Sequence, residues 1–226
     1  MPQKTILRID CSPRGAEAHC WHIADEVQAR IASCWPESRT VRRILSHVPP
    51  PFVDAEFART MGTHTSAESA RTVAALSASE DLIAELEAAD TLIIATPMHN
   101  YTVPAVLKAW IDQVVRFGRT FTSTPQGKVG NLADRPTFVV VSSGGYTSGD
   151  RGRQPDFLTP YLTAILATIG IRRVTTIRME GLTRGEEPML RAYAGARAQI
   201  AAIRIADLTV EVPSEDHLAP DSIANT

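Results

Sequence analysis

Thr91-Leu92-Ile93-Ile94-Ala95 is an apolar run without polar alternation, the pattern of a strand covered on both faces. Such a strand belongs in a parallel sheet, because parallel neighbours need crossover connections and the crossover helices cover both faces. The run is broken by Thr96-Pro97-Met98-His99-Asn100-Tyr101. Beyond it Val106, Leu107, Trp110, Ile111, Val114 and Val115 recur at helical spacing over residues 103–117. The same strand, loop, helix order occurs twice more. Residues 4–10 (KTILRID) lead through Cys11-Ser12-Pro13-Arg14-Gly15 to a helix over 19–34, marked by Ile23, Val27, Ile31 and Cys34. Residues 136–142 (PTFVVVS) lead through Ser143-Gly144-Gly145 to a helix over 157–169.

A weaker, partly alternating strand is expected over 39–45, and the three prolines of Val48-Pro49-Pro50-Pro51-Phe52 rule out a regular element there. Residues 66–88 form the longest helix candidate, 172–178 a fifth strand, and 188–207 a final helix with Pro188 at its first position. Residues 118–135, with Pro125, Gly127 and Gly130, read as an irregular excursion. Residues 1–208 make one domain, and the polar, aperiodic 209–226 reads as a mobile tail. Strands alternating with helices in this way give a doubly wound sheet, whose ligands sit outside the carboxyl ends of the strands where the strand order reverses. All three loops lie at that edge.

A length of 226 residues suffices for a core on two faces of a sheet, and the net charge of −2 gives no electrostatic footprint for nucleic acid or an anionic membrane. The opening residues lack a secretory pattern and no run approaches a membrane span, so a soluble, cytoplasmic protein is expected. Cys11, Cys20 and Cys34 contain no C-x-x-C pair and suggest neither a disulfide framework nor a zinc site.

Loop one, Ser12 to Cys20, aims a helix N-terminus at its contents, which is an anion site made of orphan N–H groups and the helix dipole. It matches neither G-x-x-x-x-G-K-[ST] nor G-x-G-x-x-G, and an ordinary turn reads equally well. In loops two and three, Pro97 and Pro104 stiffen the backbone, and Gly144-Gly145 allows close approach of a ligand.

Thr96-Pro97-Met98-His99-Asn100-Tyr101, then Leu107-Lys108-Ala109-Trp110-Ile111-Asp112, then Phe117-Gly118-Arg119-Thr120-Phe121 resemble, in order and spacing, the strings of the FMN-dependent NADH:quinone and azo reductases. Ser142-Ser143-Gly144-Gly145, Pro160-Tyr161-Leu162 with Ile169-Gly170-Ile171, and Glu180-Gly181-Leu182 continue the likeness, which spans about residues 4–205. The resemblance implies a flavodoxin-like α/β fold with a five-stranded parallel sheet in the order 2-1-3-4-5, flanked by helices. It implies FMN as cofactor, with hydride passing from NADH or NADPH through the flavin N5 to quinone, azo or related small aromatic acceptors by a ping-pong route. A homodimer is implied as well. No protein nucleophile is needed, since the cofactor carries the chemistry.

By the same resemblance Pro97, Met98, His99, Asn100 and Tyr101 contact the flavin ring, Ser142, Ser143, Gly144 and Gly145 meet its pyrimidine edge, and Ser12, Arg14, Ala18, His19 and Cys20 form the phosphate site. His99, Tyr101, Phe121 and Thr147 are the candidates for the substrate pocket. The chain departs from the family where Ala18 and Cys20 stand in place of two serines whose hydroxyls grip the phosphate, at about 1.5–3 kcal/mol for each lost hydrogen bond. His19 and Arg14 are the residues that could supply charge instead. His99, Thr147 and Thr168 replace a tyrosine, a histidine and a phenylalanine on the pocket side.

Residue by residue, plainer readings stand beside these. His99 also reads as a surface-loop histidine, Cys20 as a small buried residue or a thiolate at a helix start, and Trp110 as core or dimer interface. Lys108 and Asp112, four apart, read as a solvated pair. The rival functions are a non-catalytic flavodoxin-type electron carrier, which would be strongly acidic, and a family member recruited to a biosynthetic step with altered or lost flavin use.

Overall fold

The computed structural model describes residues 3–62 and 70–208. Its five-stranded parallel sheet is built from β1 (Thr5–Asp10), β2 (Arg39–Ile44), β3 (Thr91–Pro97), β6 (Thr137–Ser142) and β7 (Val174–Met179). The order across the sheet is β2-β1-β3-β6-β7. This is the expected succession of sheet strands, renumbered because the 118–135 excursion is not irregular: it forms an antiparallel hairpin of β4 (Phe121–Thr124) and β5 (Gly127–Gly130) outside the main sheet. The hairpin is rooted by contact rather than by sheet pairing. A Cβ on Gly130 would lie 2.0 Å from the backbone N of Gly170, so the two chain segments meet without room for a side chain.

The period of two along each strand sorts its side chains into two cores. Ile6, Ile93, Ala95, Phe138, Val140, Ile177 and Met179 face α1 (His19–Cys34) and α6 (Glu186–Ala201). Leu7, Ile9, Leu92, Ile94, Val139 and Val141 face α3 (Ala70–Ala88), α4 (Ala105–Val114) and α5 (Leu158–Thr168). Edge strand β2 is half exposed, in line with its weaker pattern. Trp110 is buried in the second core, and Lys108 pairs with Asp112 at 2.6 Å on the exposed side of α4.

Some element boundaries differ from expectation. The final helix begins at Glu186, placing Pro188 third rather than first, and stops at Ala201 before the separate short α7 (Ile205–Leu208). The expected start of the longest helix, at 66, lies outside the described residues, its described part Ala70–Ala88 ends where expected, and α2 (Ala55–Gly62) precedes it where no helix was expected. The expected tail, 209–226, lies outside the described residues. No described helix is long and apolar enough to cross a membrane.

One polar cluster interrupts the first core. Arg8, 1 % exposed, donates to Asp10 Oδ1 at 3.0 Å, to Gln28 Oε1 at 3.3 Å and to the Trp21 carbonyl at 3.3 Å, and also pairs with Asp25. Asp10 takes a second guanidinium from Arg42, 2.6 Å away. A buried pair survives only when its lone pairs and protons are matched in this way. The result ties α1 to β1 and so fixes where the α1 N-terminus sits.

Candidate functional site

The chain leaves β1 to build β2 on one side and then returns to build β3 on the other, so the order reverses between β1 and β3. Loops one and two flank that crevice, and loop three follows β6 beside it.

Loop one folds back on itself. The backbone N of Arg14 donates to Ser12 Oγ at 3.2 Å, Ser46 Oγ donates to the Ser12 carbonyl at 2.9 Å, and Gly15–Glu17 make a short 3-10 turn. Ser12 itself is buried. Ala18 is the N-cap of α1 and offers no side-chain cap, so the first N–H groups of the helix keep their need for an acceptor. His19 begins α1 with Nδ1 2.9 Å from the Tyr193 hydroxyl, and His22 Nδ1 lies 3.2 Å from the same hydroxyl. Burial, with help from His22 and Arg14, pulls the His19 pKa below the ordinary value, which weakens its fitness as a standing positive charge. Cys20 is fully buried and its pKa is pushed up to about 11 by burial, with the Ser142 hydroxyl working the other way. It is a neutral thiol at physiological pH. Burial thus favours the small buried residue over the thiolate, with the sulfur facing the Ser142 hydroxyl at the end of β6.

Loop two is a tight turn. His99 and Thr102 exchange both backbone hydrogen bonds at 2.9 Å, and the two residues between them, Asn100 (φ 49°) and Tyr101 (φ 70°), are left-handed. Positive φ at both central positions is the requirement of a type I′ turn, and Asn tolerates it best after glycine. The turn is moored at its far side by Phe157, whose N donates to the Tyr101 carbonyl at 3.0 Å. Its root is moored by Met98 N, which donates to the Ser142 carbonyl at 2.8 Å.

Loop three is strapped from behind by the turn at 181–184. Gly181 N donates to the Gly145 carbonyl at 3.0 Å, Leu182 N to the Ser143 carbonyl at 3.2 Å, and Thr183 Oγ1 to the Gly144 carbonyl at 2.9 Å. All three carbonyls are thus held on one side. The N–H groups of Gly144 and Gly145 have no acceptor among the described residues. Gly181 holds φ +75°, and a Cβ there would strike the Tyr146 ring at 2.5 Å, so only glycine lets the strap come this close.

Loops two and three together wall a cleft of about 390 Å³ lined by Met98, Asn100, Tyr101, Ser143, Gly144, Gly145, Gln154, Thr183 and Arg184. Six of the expected site residues therefore meet in one place. Pro97, His99 and Ser142 belong to the same loops but do not line the cleft. Neither do two expected pocket residues. Phe121 is buried edge-to-face against Phe117 with centroids 6.0 Å apart, and the Thr147 hydroxyl and N–H both bond Glu180. No residue of loop one lines this cleft. Gln154, Thr183 and Arg184 escaped the sequence reading. The Glu180-Gly181-Leu182 match placed the chain beside two of them but gave no reason to look one residue further.

No group of three or more His, Cys, Asp or Glu capable of holding a metal exists among the described residues.

Comparison with known proteins agrees with this geometry. The model of a family described as having a flavodoxin-like fold matches residues 4–203. FMN-dependent NADH:quinone oxidoreductase 5 of Burkholderia lata is 45% identical over 196 residues, covering 87% of this chain and 94% of that protein. FMN-dependent NADH:quinone oxidoreductase 2 of Cupriavidus pinatubonensis is 42% identical, covering 88% and 97%. An azoreductase structure from Bacillus anthracis superposes with a TM-score of 0.74 over 88% of this chain and 98% of that one, at 22% identity, a likeness of fold. The chain belongs to the flavodoxin-like family, alongside the FMN-dependent NADH:quinone oxidoreductases.

Proposed function

We propose that this protein is an FMN-dependent oxidoreductase that takes hydride from NADH or NADPH and delivers it to quinone, azo or related aromatic acceptors. The observation that carries the reading is loop three. Its carbonyls are all engaged by the 181–184 strap, while the Gly144 and Gly145 N–H groups stay free beside a cleft walled by Met98, Asn100 and Tyr101. Such a constellation suits the edge of a flat heteroaromatic ring that needs donors and excludes side-chain bulk. The names of the relatives at 45% and 42% identity support the identification of that ring as FMN.

The residues present fit the group. The uncapped N-terminus of α1, with Ser12 and the backbone of Ala18, His19 and Cys20, would take the phosphate. Gly144 and Gly145 would donate to the pyrimidine edge, and the backbone of Met98, Asn100 and Tyr101 would support the ring. When bound, FMN supplies a carrier that accepts hydride from one ligand and releases it to the next. What the chain contributes is position. The doubly moored turn at Asn100-Tyr101 keeps the Tyr101 ring, 43 % exposed, at the rim of the cleft, where it can flank a stacked aromatic ligand. With one such rim, donor and acceptor would use the same place in turn, which is the basis for the ping-pong order.

The phosphate end is the weaker half, because Ala18 and Cys20 bring no hydroxyl and the pKa shift of His19 disfavours its cation. Backbone N–H groups and the helix dipole remain. Arg14, in loop one itself, is a permanent positive charge that can serve the phosphate there. A homodimer is part of the proposal, with the exposed Phe52, Tyr101, Phe117 and Phe157 as apolar surface for it.

Flavin content measured by absorbance on purified protein, before and after reconstitution with FMN, tests the cofactor. Steady-state NADH and NADPH oxidation against a panel of quinones and azo compounds tests the reaction, and parallel double-reciprocal plots test the order. Protein that stays colourless after reconstitution defeats the proposal. Light scattering reports the oligomeric state.

A further inference from the structure

Among the residues lining the cleft, Arg184 is the one that carries a charge. Its backbone is fixed: it closes the turn by donating its N–H to the Gly181 carbonyl at 3.0 Å, and that turn is strapped to loop three through Gly145, Ser143 and Gly144. Its side chain is free, being exposed and without a hydrogen-bond or ion-pair partner among the described residues. Three of the carboxylates on the surrounding elements are occupied elsewhere. Glu180 holds the hydroxyls of Thr147 and Ser148, Asp156 caps α5 through the Thr159 N–H and pairs with Arg178, and Glu187 pairs with Arg191. Neither Glu186, at the start of α6, nor Asp150 forms an ion pair with Arg184.

We propose that Arg184 is a specificity-determining residue that makes this cleft prefer aromatic ligands bearing an anionic ring substituent, a carboxylate or a sulfonate, over their neutral counterparts. The inference rests on the reductase reading for the identity of the ligand as an electron acceptor, while the charge preference itself rests on the cleft. The physical ground is threefold. The cleft offers one cation and no anion. A guanidinium presents a planar fork that pairs bidentately with carboxylate or sulfonate oxygens. Finally, an arm anchored at a fixed Cα and free at its tip can meet a substituent on a ring that stacks over the flavin near Tyr101, while no described side chain competes for it.

The test compares two matched pairs in the wild type and in Arg184→Gln, Arg184→Lys and Arg184→Glu. With FMN-loaded protein, kcat/KM is measured for an azobenzene acceptor carrying a ring carboxylate and for its methyl ester. By fluorescence titration, dissociation constants are measured for redox-inert naphthalene-2-sulfonate and for the neutral naphthalene-2-sulfonamide. The acid-to-ester and sulfonate-to-sulfonamide ratios should each fall about threefold to fivefold in Arg184→Gln, the scale of a partly exposed ion pair. They should fall further in Arg184→Glu, recover largely in Arg184→Lys, and narrow in wild type as salt is raised. Ratios that do not change on substitution overturn the proposal, whether both ligands weaken together or neither does. Flavin content is followed in every variant. A chain that takes up no FMN would defeat the reductase reading separately, and the sulfonate pair would still decide the role of Arg184.

Discussion

Gly145 sits where three demands meet: its carbonyl is held by Gly181, its N–H has no acceptor among the described residues, and the space a Cβ would need is filled by the Gln154 amide, with Oε1 at 2.2 Å. Because Gln154 also lines the cleft, a methyl group at 145 has to push that amide aside. Gly145→Ala should lower FMN affinity about tenfold, equivalent to ~1.4 kcal/mol at the low end of overpacking costs, and adding Gln154→Ala should recover most of the loss. Titration of flavin fluorescence on the single and double variants measures both. A Gly145→Ala protein that binds FMN like the wild type would remove the glycine from the site. The residues around it show what a sequence can and cannot disclose at this scale. Gly144, Gly145 and Asn100 are legible because their chemistry is local: a missing Cβ, or a side chain that tolerates left-handed φ. Gln154 is not, since nothing in Arg153-Gln154-Pro155 announces that its amide will be packed against loop three. His99 differs in another way. It stands in the middle of the loop-two string, yet its side chain does not line the cleft that Met98, Asn100 and Tyr101 share.

Elements are held in place by charge as well as by apolar packing, and two clusters make different predictions. Arg8 and Asp10 are buried under α1, so removing one partner leaves the other short of compensation. Arg8→Leu should cost about 3 kcal/mol in a urea unfolding experiment, and Arg8→Leu with Asp10→Leu should cost less than the single change. On the opposite face Arg119 bridges Glu80 at 3.0 Å and pairs with Glu87, joining α3 to the chain that follows α4. Burial opposes ionisation of Glu80, but Arg116 and Arg119 outweigh it and hold the carboxyl below its ordinary value of 4.5; Arg119 does the same for Glu87. A carboxyl whose folded pKa is depressed contributes stability that is present above its unfolded pKa and is lost as pH falls through the folded value. Wild type should therefore exceed Arg119→Ala by about 1 kcal/mol at pH 7, for partly exposed pairs, with the gap closing below the ordinary carboxylate pKa. Unfolding midpoints between pH 3 and pH 7 check it. The sequence announced β3 and α4 through unbroken apolar patterns. It concealed α2, which follows the Pro49-Pro50-Pro51 run, and the β4–β5 hairpin, whose Thr, Ser, Gln and Lys residues carry no apolar period because the hairpin packs through its root.

For the whole molecule, ligand binding and folding are one equilibrium. A ligand that binds only the folded chain adds ~2.7 kcal/mol at a concentration one hundred times its Kd, and for a domain of this size that corresponds to a rise in Tm of about 5–10 °C. Differential scanning fluorimetry with FMN should show such a rise, whereas riboflavin, lacking the phosphate, should give a smaller one if loop one takes the anion. Equal shifts would mean that the phosphate end contributes nothing. The overall architecture was the most legible level, since strand, loop and helix alternation leaves few ways to cover both faces of a sheet. The close approaches were the least legible, because each depends on two distant segments at once. The meeting of Gly130 with Gly170 is of that kind, and it divides the hairpin into unequal parts. Its root cannot accept a methyl group on either strand of contact, while its Thr124-Pro125-Gln126-Gly127 tip is exposed and packs on nothing that the sheet needs. Variation can therefore accumulate at the tip while the root stays constant, leaving one appendage that descendants of this protein are free to reshape without refolding the rest.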